Sequence, residues 1–475
     1  MNLMLPGTPR YQPKQLIPYF GYDNLFRTLG EVELALLDVL AELGVMSAET
    51  YALLTPEKRQ TVLAITTTEV EEVERKQTKH DIRAWILFAC AILGEDLARW
   101  VHVLLTSYDP VDTARSLQYL RAYRGALKPS LKDFISIMAE RVRSFAHTLQ
   151  IGRTHGQHAL PITVGFWLAT ILNRVLYNQQ KMEKHSLELV GKISGAVGAK
   201  NAQVGLGVEA LCGDRSFETR VLDKLGLTPP LISTQILPPE PLAYFLFSSS
   251  LMSASLAQFG RDCRHLMRSE IAEIGEPFSA DQAGSSTMAQ KRNPINFENT
   301  EGMWIKTKNE FGKVLDTLIS EHQRDLVGSC VARDFPIILV NLQQQLNTLL
   351  RKDGKGQAFL SRITVDERNC KANFERSAHL ILAEPLYIAL QMAGYRGDAH
   401  HFVNHTLVPK AQQTGQLLVE VLEEVAVPDS NEWLAMRAIP KEVFTLLHQP
   451  KNYTGSAAEQ ALNVASLAQA VARSM

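Results

Sequence analysis

The sequence predicts an all-α protein of three helical regions with a bundle of long helices at its centre. Two observations carry this: long windows of the chain contain no proline, and within them apolar residues recur three and four apart, the period of one face of a helix. A third is negative. No stretch of comparable length alternates apolar and polar residues into an Asn-Gly or Asp-Gly turn, and no internal repeat or low-complexity segment appears.

Proline inside a helix removes a hydrogen bond and clashes with the preceding turn. The long helices therefore belong in the gaps from Pro161 to Pro229, Pro241 to Pro277, Pro294 to Pro336 and Pro336 to Pro385. The expected regions are a helical start over 1–105, a central bundle over 106–360 and a shorter helical end over 361–475. Segment 241–260 carries no charge and approaches membrane-span length. In lipid, however, Ser248, Ser249, Ser250, Ser253, Ser255 and Gln258 would have to be dehydrated, so it reads as a buried bundle helix. A further helix should start at Asn293 as its cap, with Pro294 in the first turn, Glu298 near the positive end of the dipole, and an apolar stripe through Trp304, Phe311, Leu315 and Leu318.

Composition narrows the function. With 475 residues, 45% hydrophobic and 21% charged, the chain can bury a large core. Its 49 Lys and Arg are matched by 50 Asp and Glu, which leaves no net positive field to hold nucleic acid, so an anion must be bound locally by a few side chains. The five cysteines are odd in number and dispersed, with no Cys-x-x-Cys pair. Neither a disulfide frame nor a thiolate metal site is expected, and the pattern fits a reducing, cytoplasmic compartment. Residues 1–11 include two prolines and no apolar run of secretory length, so no signal peptide is expected there.

Four polar clusters stand apart from the helical period. The first, 152–161, is a polar turn ending in Pro161 and placed at a helix entrance. Its His155 and His158 bring imidazoles, the side-chain type whose charge changes near neutral pH, which suits proton transfer to a leaving amine, though surface histidines are the simpler reading. The second, 284–294, is a hydroxyl-rich, flexible loop in which backbone amides, Lys291 and the following helix N-terminus could form an anion site; a plain polar linker is the alternative. Neither Gly-x-x-x-x-Gly-Lys-Ser/Thr nor Gly-x-Gly-x-x-Gly occurs here, so it is not a glycine-rich phosphate loop. The third comprises His80 and Asp81 with Thr106, Ser107, Asp109 and Asp112. A metal pair there would need more histidines, and only His102 is near. The fourth runs from Gln323 through Arg324 and Asp325 to Ser329 and Arg333. It is either a bidentate phosphate clamp or an ion-pair network with Asp325 and Asp334.

In this order the four stretches resemble the fumarase and aspartase superfamily, and within it the adenylosuccinate lyase branch. Residues 284–294 are similar to the pattern Gly-Ser-Ser-x-Met-Pro-x-Lys-x-Asn-Pro, and 154–161 to Thr-His-x-Gln-x-Ala-x-Pro. Arg10 and Tyr11, His80 and Asp81, Thr106 and Ser107, 191–198, 233–235, 323–333 and 453–455 resemble that branch, so the likeness spans nearly the whole chain. It implies an all-helical homotetramer whose active sites gather segments from three subunits, with no metal or organic cofactor. It also implies elimination of fumarate from adenylosuccinate, or from the succinylated aminoimidazole carboxamide ribotide of purine synthesis.

By the same resemblance, Ser285 is the general base, His155 the general acid, and His80 a positioning group. Lys291 and Asn293 hold the carboxylate whose charge grows in the carbanion-like intermediate. Asp81, Thr106, Ser107, Gln235 and Ser286 contact the substrate, while Arg10, Tyr11, Arg324, Ser329 and Arg333 bind its nucleotide end. Serine is a poor base in water, so its loop must close and surround the oxygen with donors. Three residues depart from the pattern: Ala289 replaces its proline, and Tyr108 and Pro110 follow Thr106 and Ser107. They leave open a divergent lyase acting on another N-succinyl or aspartate-derived compound. An inactive structural or regulatory homologue is the reading from a different class.

Overall fold

Four of the five serines that argue against a membrane span back-bond to carbonyls of their own helix, and of the five only the Ser253 hydroxyl is buried without a partner among the described residues. In the computed structural model, which describes residues 4–277, 288 and 291–475, helix Glu240–Leu266 buries Ser248, Ser249, Ser250, Ser253 and Ser255. Ser249 donates to the Phe245 carbonyl at 2.8 Å and Ser250 to that of Leu246 at 2.9 Å, a back-bond to the preceding turn that lets a hydroxyl enter an apolar core. Among the described residues this is the one helix long and apolar enough to cross a membrane, and it lies inside the bundle.

Around it pack Val164–Leu187, Ile295–Asp316 and Ile337–Leu350, the long helices expected of the central region. Gly260 sets one of these approaches, since a Cβ there would fall 2.8 Å from the Phe297 carbonyl oxygen. The last helix, Ala457–Ser474, runs back out of the 361–475 region onto Lys128–Ser144 and Val164–Leu187. It buries Ala457, Ala461, Ala465, Ala468 and Ala472 along one stripe. The first apolar core thus runs from Leu5 to Cys370 and takes in this helix, while a second holds 374–447 together with Ile151.

Three local expectations are corrected. The turn 152–161 does lead into a helix, Val164–Leu187 capped by Thr163, but it is itself a hairpin of strands Leu149–Thr154 and Gln157–Thr163, with Thr154 opposite Gln157 and Ile151 opposite Pro161. Its central residues His155 and Gly156 both have positive φ, 54° and 76°. Two successive left-handed residues make the turn whose twist matches paired strands.

Asn293 does not cap the next helix, which begins at Ile295 with Pro294 as its N-cap residue. The buried Glu276 carboxylate does that work, accepting the Asn296 and Phe297 amides at 2.8 and 2.9 Å. Burial pushes the Glu276 carboxyl up even against these donors. Glu276→Ala should therefore lower stability by about 1–2 kcal/mol in equilibrium denaturation, the cost of a lost cap; an unchanged midpoint would assign the capping elsewhere.

The third correction concerns the stripe Trp304, Phe311, Leu315 and Leu318. Helix Ile295–Asp316 instead buries Phe297, Thr300, Met303, Thr307 and Val314, whereas Leu315 is 53% and Leu318 39% exposed. The expected stripe is split: Trp304 and Phe311 are half-buried, with Phe311 against Phe247 at 5.5 Å, while Leu315 and Leu318, the latter beyond the helix end at Asp316, are exposed.

Candidate active site

Helix Tyr108–Ala122 presents one face to a cavity of about 890 Å³ through Tyr108, Val111, Ala114, Arg115, Gln118 and Tyr119, spaced as a helical face requires. The turn before this helix, Thr106 and Ser107, forms one rim. Asp109, fully buried, fixes that turn by accepting the Thr106 amide at 2.7 Å. The same carboxylate pairs with the equally buried Lys192 and accepts the Ser194 and Gly195 amides at 3.0 and 3.2 Å. It thereby ties segment 191–198 behind the rim, where Ser194 meets Ser233 hydroxyl to hydroxyl at 2.8 Å.

His80 and Asp81 enter from the start of helix Asp81–Leu93. The Nδ1 of His80 accepts the Arg83 amide at 3.4 Å and lies 3.5 Å from Asp81. The other Asp81 oxygen accepts from Arg333 at 3.0 Å. His102 does not join a metal set with this pair. It bonds Glu33 at 2.7 Å through Nδ1; burial pushes its pKa down, but the Glu33 hydrogen bond and charge outweigh this and hold it above the ordinary histidine value.

Gln235, Arg324, Ser329 and Arg333 complete the wall, so the third and fourth clusters share one cavity although they are more than two hundred residues apart in sequence. Arg324 donates to Gln235 Oε1 at 2.9 Å. The alternative ion-pair network is not what forms. Asp325 turns its carboxylate to the Glu321 and Val327 amides at 2.8 and 2.7 Å, donors that hold it below the usual carboxylate range, and Asp334 pairs with Lys313 at 3.1 Å. The Arg324 and Arg333 guanidinium groups and the Ser329 hydroxyl are thus gathered on one wall, where Asp81 pairs with Arg333; Arg115, Glu74 and Asp325 also line the cavity. Such an arrangement suits an anion.

The remaining expected residues do not line this cavity in the single chain. His155 is exposed at the hairpin tip, and Lys291 is exposed and Asn293 half-buried ahead of helix Ile295–Asp316. Arg10 lies exposed over the Tyr11 ring, which also faces Lys306 at 5.5 Å. Ser285 and Ser286, with Gly284 and Ala289, lie outside the described residues.

The hairpin that carries His155 is firmly rooted. Arg153 makes a two-pronged pair with the fully buried Glu273 at 2.6 and 3.1 Å, and Glu273 also accepts Gln150 and Asn373, each at 2.9 Å. Sequence reading missed Arg115 and Gln118. Once Thr106 and Ser107 are placed at the head of a helix, Arg115 and Gln118 fall seven and ten residues after Tyr108, two and three turns along the same face.

Comparison with known proteins bears on this geometry. A family described simply as lyase matches residues 57–307. Adenylosuccinate lyase of Pyrococcus abyssi is 32% identical over 472 residues, 98% of each chain, and adenylosuccinate lyase of Bacillus subtilis 32% over 437 residues, 91% of this chain and 94% of its own. Among solved structures, a fumarate lyase from a Mesorhizobium species superposes with a TM-score of 0.79 at 23% identity, over 97% of this chain and all of that one. The 3-carboxy-cis,cis-muconate lactonizing enzyme of Pseudomonas putida gives 0.78 at 22%, covering 97% and 98%. At that identity the structural likeness speaks for the helical fold.

Proposed function

The chain belongs to the adenylosuccinate lyase family, and we infer from this that it cleaves the carbon–nitrogen bond of adenylosuccinate to AMP and fumarate. By the same general acid–base elimination it releases fumarate from the succinylated aminoimidazole carboxamide ribotide, in purine nucleotide biosynthesis. The observation that most supports this substrate is the convergence of His80, Asp81, Thr106, Ser107, Gln235, Arg324, Ser329 and Arg333 on one cavity. Its cation-rich end suits a phosphate, and its hydroxyl rim suits the succinyl carboxylates.

In this reading, His155 protonates the departing nitrogen and Ser285 removes the proton beside a succinyl carboxylate. Lys291 and Asn293 stabilise the second negative charge that then develops, and Ser286 contacts the substrate. His80 positions the leaving end, and Arg10 and Tyr11 hold the nucleotide. A fixed cation matters because each 1.4 kcal/mol of transition-state stabilisation is worth about tenfold in rate.

Since His155 and Lys291 lie away from the cavity of their own chain, the site is completed by other copies in a homotetramer. The outward apolar residues Ile305, Leu315, Leu318 and Ile319, with Tyr244 and Phe247 on the neighbouring helix, supply faces for that assembly. Five free thiols fit a cytoplasmic setting.

The experiment is an absorbance assay of fumarate release from adenylosuccinate by the purified protein. Turnover is the expected result, and its absence would reject the substrate assignment.

A further inference from the structure

The residue at position 108 sits where the cavity's anion-binding end is built. The Arg324 guanidinium lies flat against the Tyr108 ring, 3.4 Å from its centroid, and the Tyr108 hydroxyl donates to Ser329 Oγ at 3.1 Å. One side chain therefore touches both groups read above as phosphate ligands. Among the described residues no carboxylate forms an ion pair with Arg324, so the ring face and the Gln235 carbonyl are what orient its charge.

Behind these three residues lies a second, smaller cavity of about 120 Å³. Its wall is largely apolar, with Ile236, Leu237, Val314 and Leu318 beside the buried Asp112. Tyr108, Arg324 and Ser329 line both cavities, together with Arg115, Asp325 and Ala332, and so belong to the partition between them. Asp112 accepts the Leu237 amide at 3.0 Å and pairs with Arg115 at 3.2 Å. Burial holds its carboxyl above the usual range, against the charge of Arg115, the Leu237 amide and the weaker charges of Lys192 and Arg324, so Arg324 lies within range of this carboxyl.

We infer that Tyr108 is a positioning residue for the phosphate end of the substrate: its ring keeps the Arg324 guanidinium facing the substrate cavity and away from Asp112, and its hydroxyl fixes Ser329 beside it. This rests on the reading of Arg324 and Ser329 as phosphate ligands. Without an aromatic face at 108 Arg324 loses the surface it lies on, and the Asp112 carboxylate behind the partition becomes a competing anion. An unbranched or aliphatic residue of similar bulk fills the space but gives the cation nothing to lie on.

The test is calorimetric binding of AMP and of adenosine to the assembled wild-type protein, Tyr108→Leu and Tyr108→Phe, with steady-state fumarate release alongside. Wild type should bind AMP more tightly than adenosine. Tyr108→Leu should lose about tenfold in AMP affinity, the scale of a partly desolvated cation–aromatic contact, with less than a twofold change for adenosine. Tyr108→Phe, which keeps the ring, should stay within about threefold of wild type for both. In turnover the leucine variant should raise KM about tenfold, with the smaller change in kcat.

The inference is overturned if Tyr108→Leu binds AMP as wild type does, if Tyr108→Phe falls as far as the leucine variant, or if adenosine affinity falls in parallel. It is also overturned if wild type does not distinguish AMP from adenosine. Tyr108→Met serves the same comparison should the leucine variant not fold. A wild type that releases no fumarate yet shows this binding pattern would sink the lyase reading and leave the role of Tyr108 standing.

Discussion

His155→Ala is expected to lower fumarate release by about 10²- to 10⁴-fold, the range a positioned general acid contributes, while leaving the fold and assembly intact. The second half of that expectation comes from where the imidazole sits. His155 is exposed at the tip of a two-stranded ribbon, and what holds the ribbon lies lower, in Ile151 within the second core and in Arg153 on the buried Glu273. Truncating the tip removes no buried contact. Ser285→Ala should be as inactive, for loss of the base at the other side of the scissile bond.

If different copies supply these two residues to one cavity, mixing the two dead variants under conditions of subunit exchange should restore part of the activity, because some sites then contain both intact groups. Full activity in either single variant would refute the assigned roles. Failure of exchanged mixtures to recover any would refute the sharing.

The fold class was legible because proline and helical period are local signals, and four polar clusters stood out because they break that period. Thr106 with Ser107, and Arg324 with Ser329 and Arg333, could be singled out as short strings, and they meet at one cavity. What escaped is set by partners distant in sequence. The hairpin under His155 uses strands of six and seven residues and a His-Gly turn, too short and too unusual for a pattern search. Glu276 caps a helix that starts nineteen residues later, which no spacing rule from Asn293 anticipates. The stripe through Leu315 and Leu318 has true helical spacing, but period alone does not say whether a face meets its own chain or another. Arg115 and Gln118 were hidden for a related reason: on a helix, a polar residue facing a cavity has the same spacing as one facing water.

Lys192→Met should be the most destabilising single change near the cavity, by about 3–5 kcal/mol, because it leaves the Asp109 carboxylate buried without its counter-charge. Both side chains are fully inaccessible, and Lys192 is further fixed by its own backbone, whose amide and carbonyl both bond the Thr113 hydroxyl, at 3.0 and 2.9 Å. The Thr106, Ser194 and Gly195 amides remain to solvate Asp109, which argues for the lower half of that range.

The same carboxylate orients the Thr106 turn, so the damage should reach the substrate: at a temperature where the variant is still folded, KM should rise. Asp109→Asn separates the two effects. An amide keeps the shape but only one acceptor oxygen, and Lys192 and the Thr106, Ser194 and Gly195 amides all donate to this side chain, so Asp109→Asn should destabilise comparably and disturb the turn more than Lys192→Met, which leaves the Thr106 bond in place. Denaturation midpoints followed by circular dichroism, with KM measured on both variants, decide the matter. A Lys192→Met protein as stable as wild type would mean that the buried pair contributes nothing its hydrogen-bonded surroundings do not already provide.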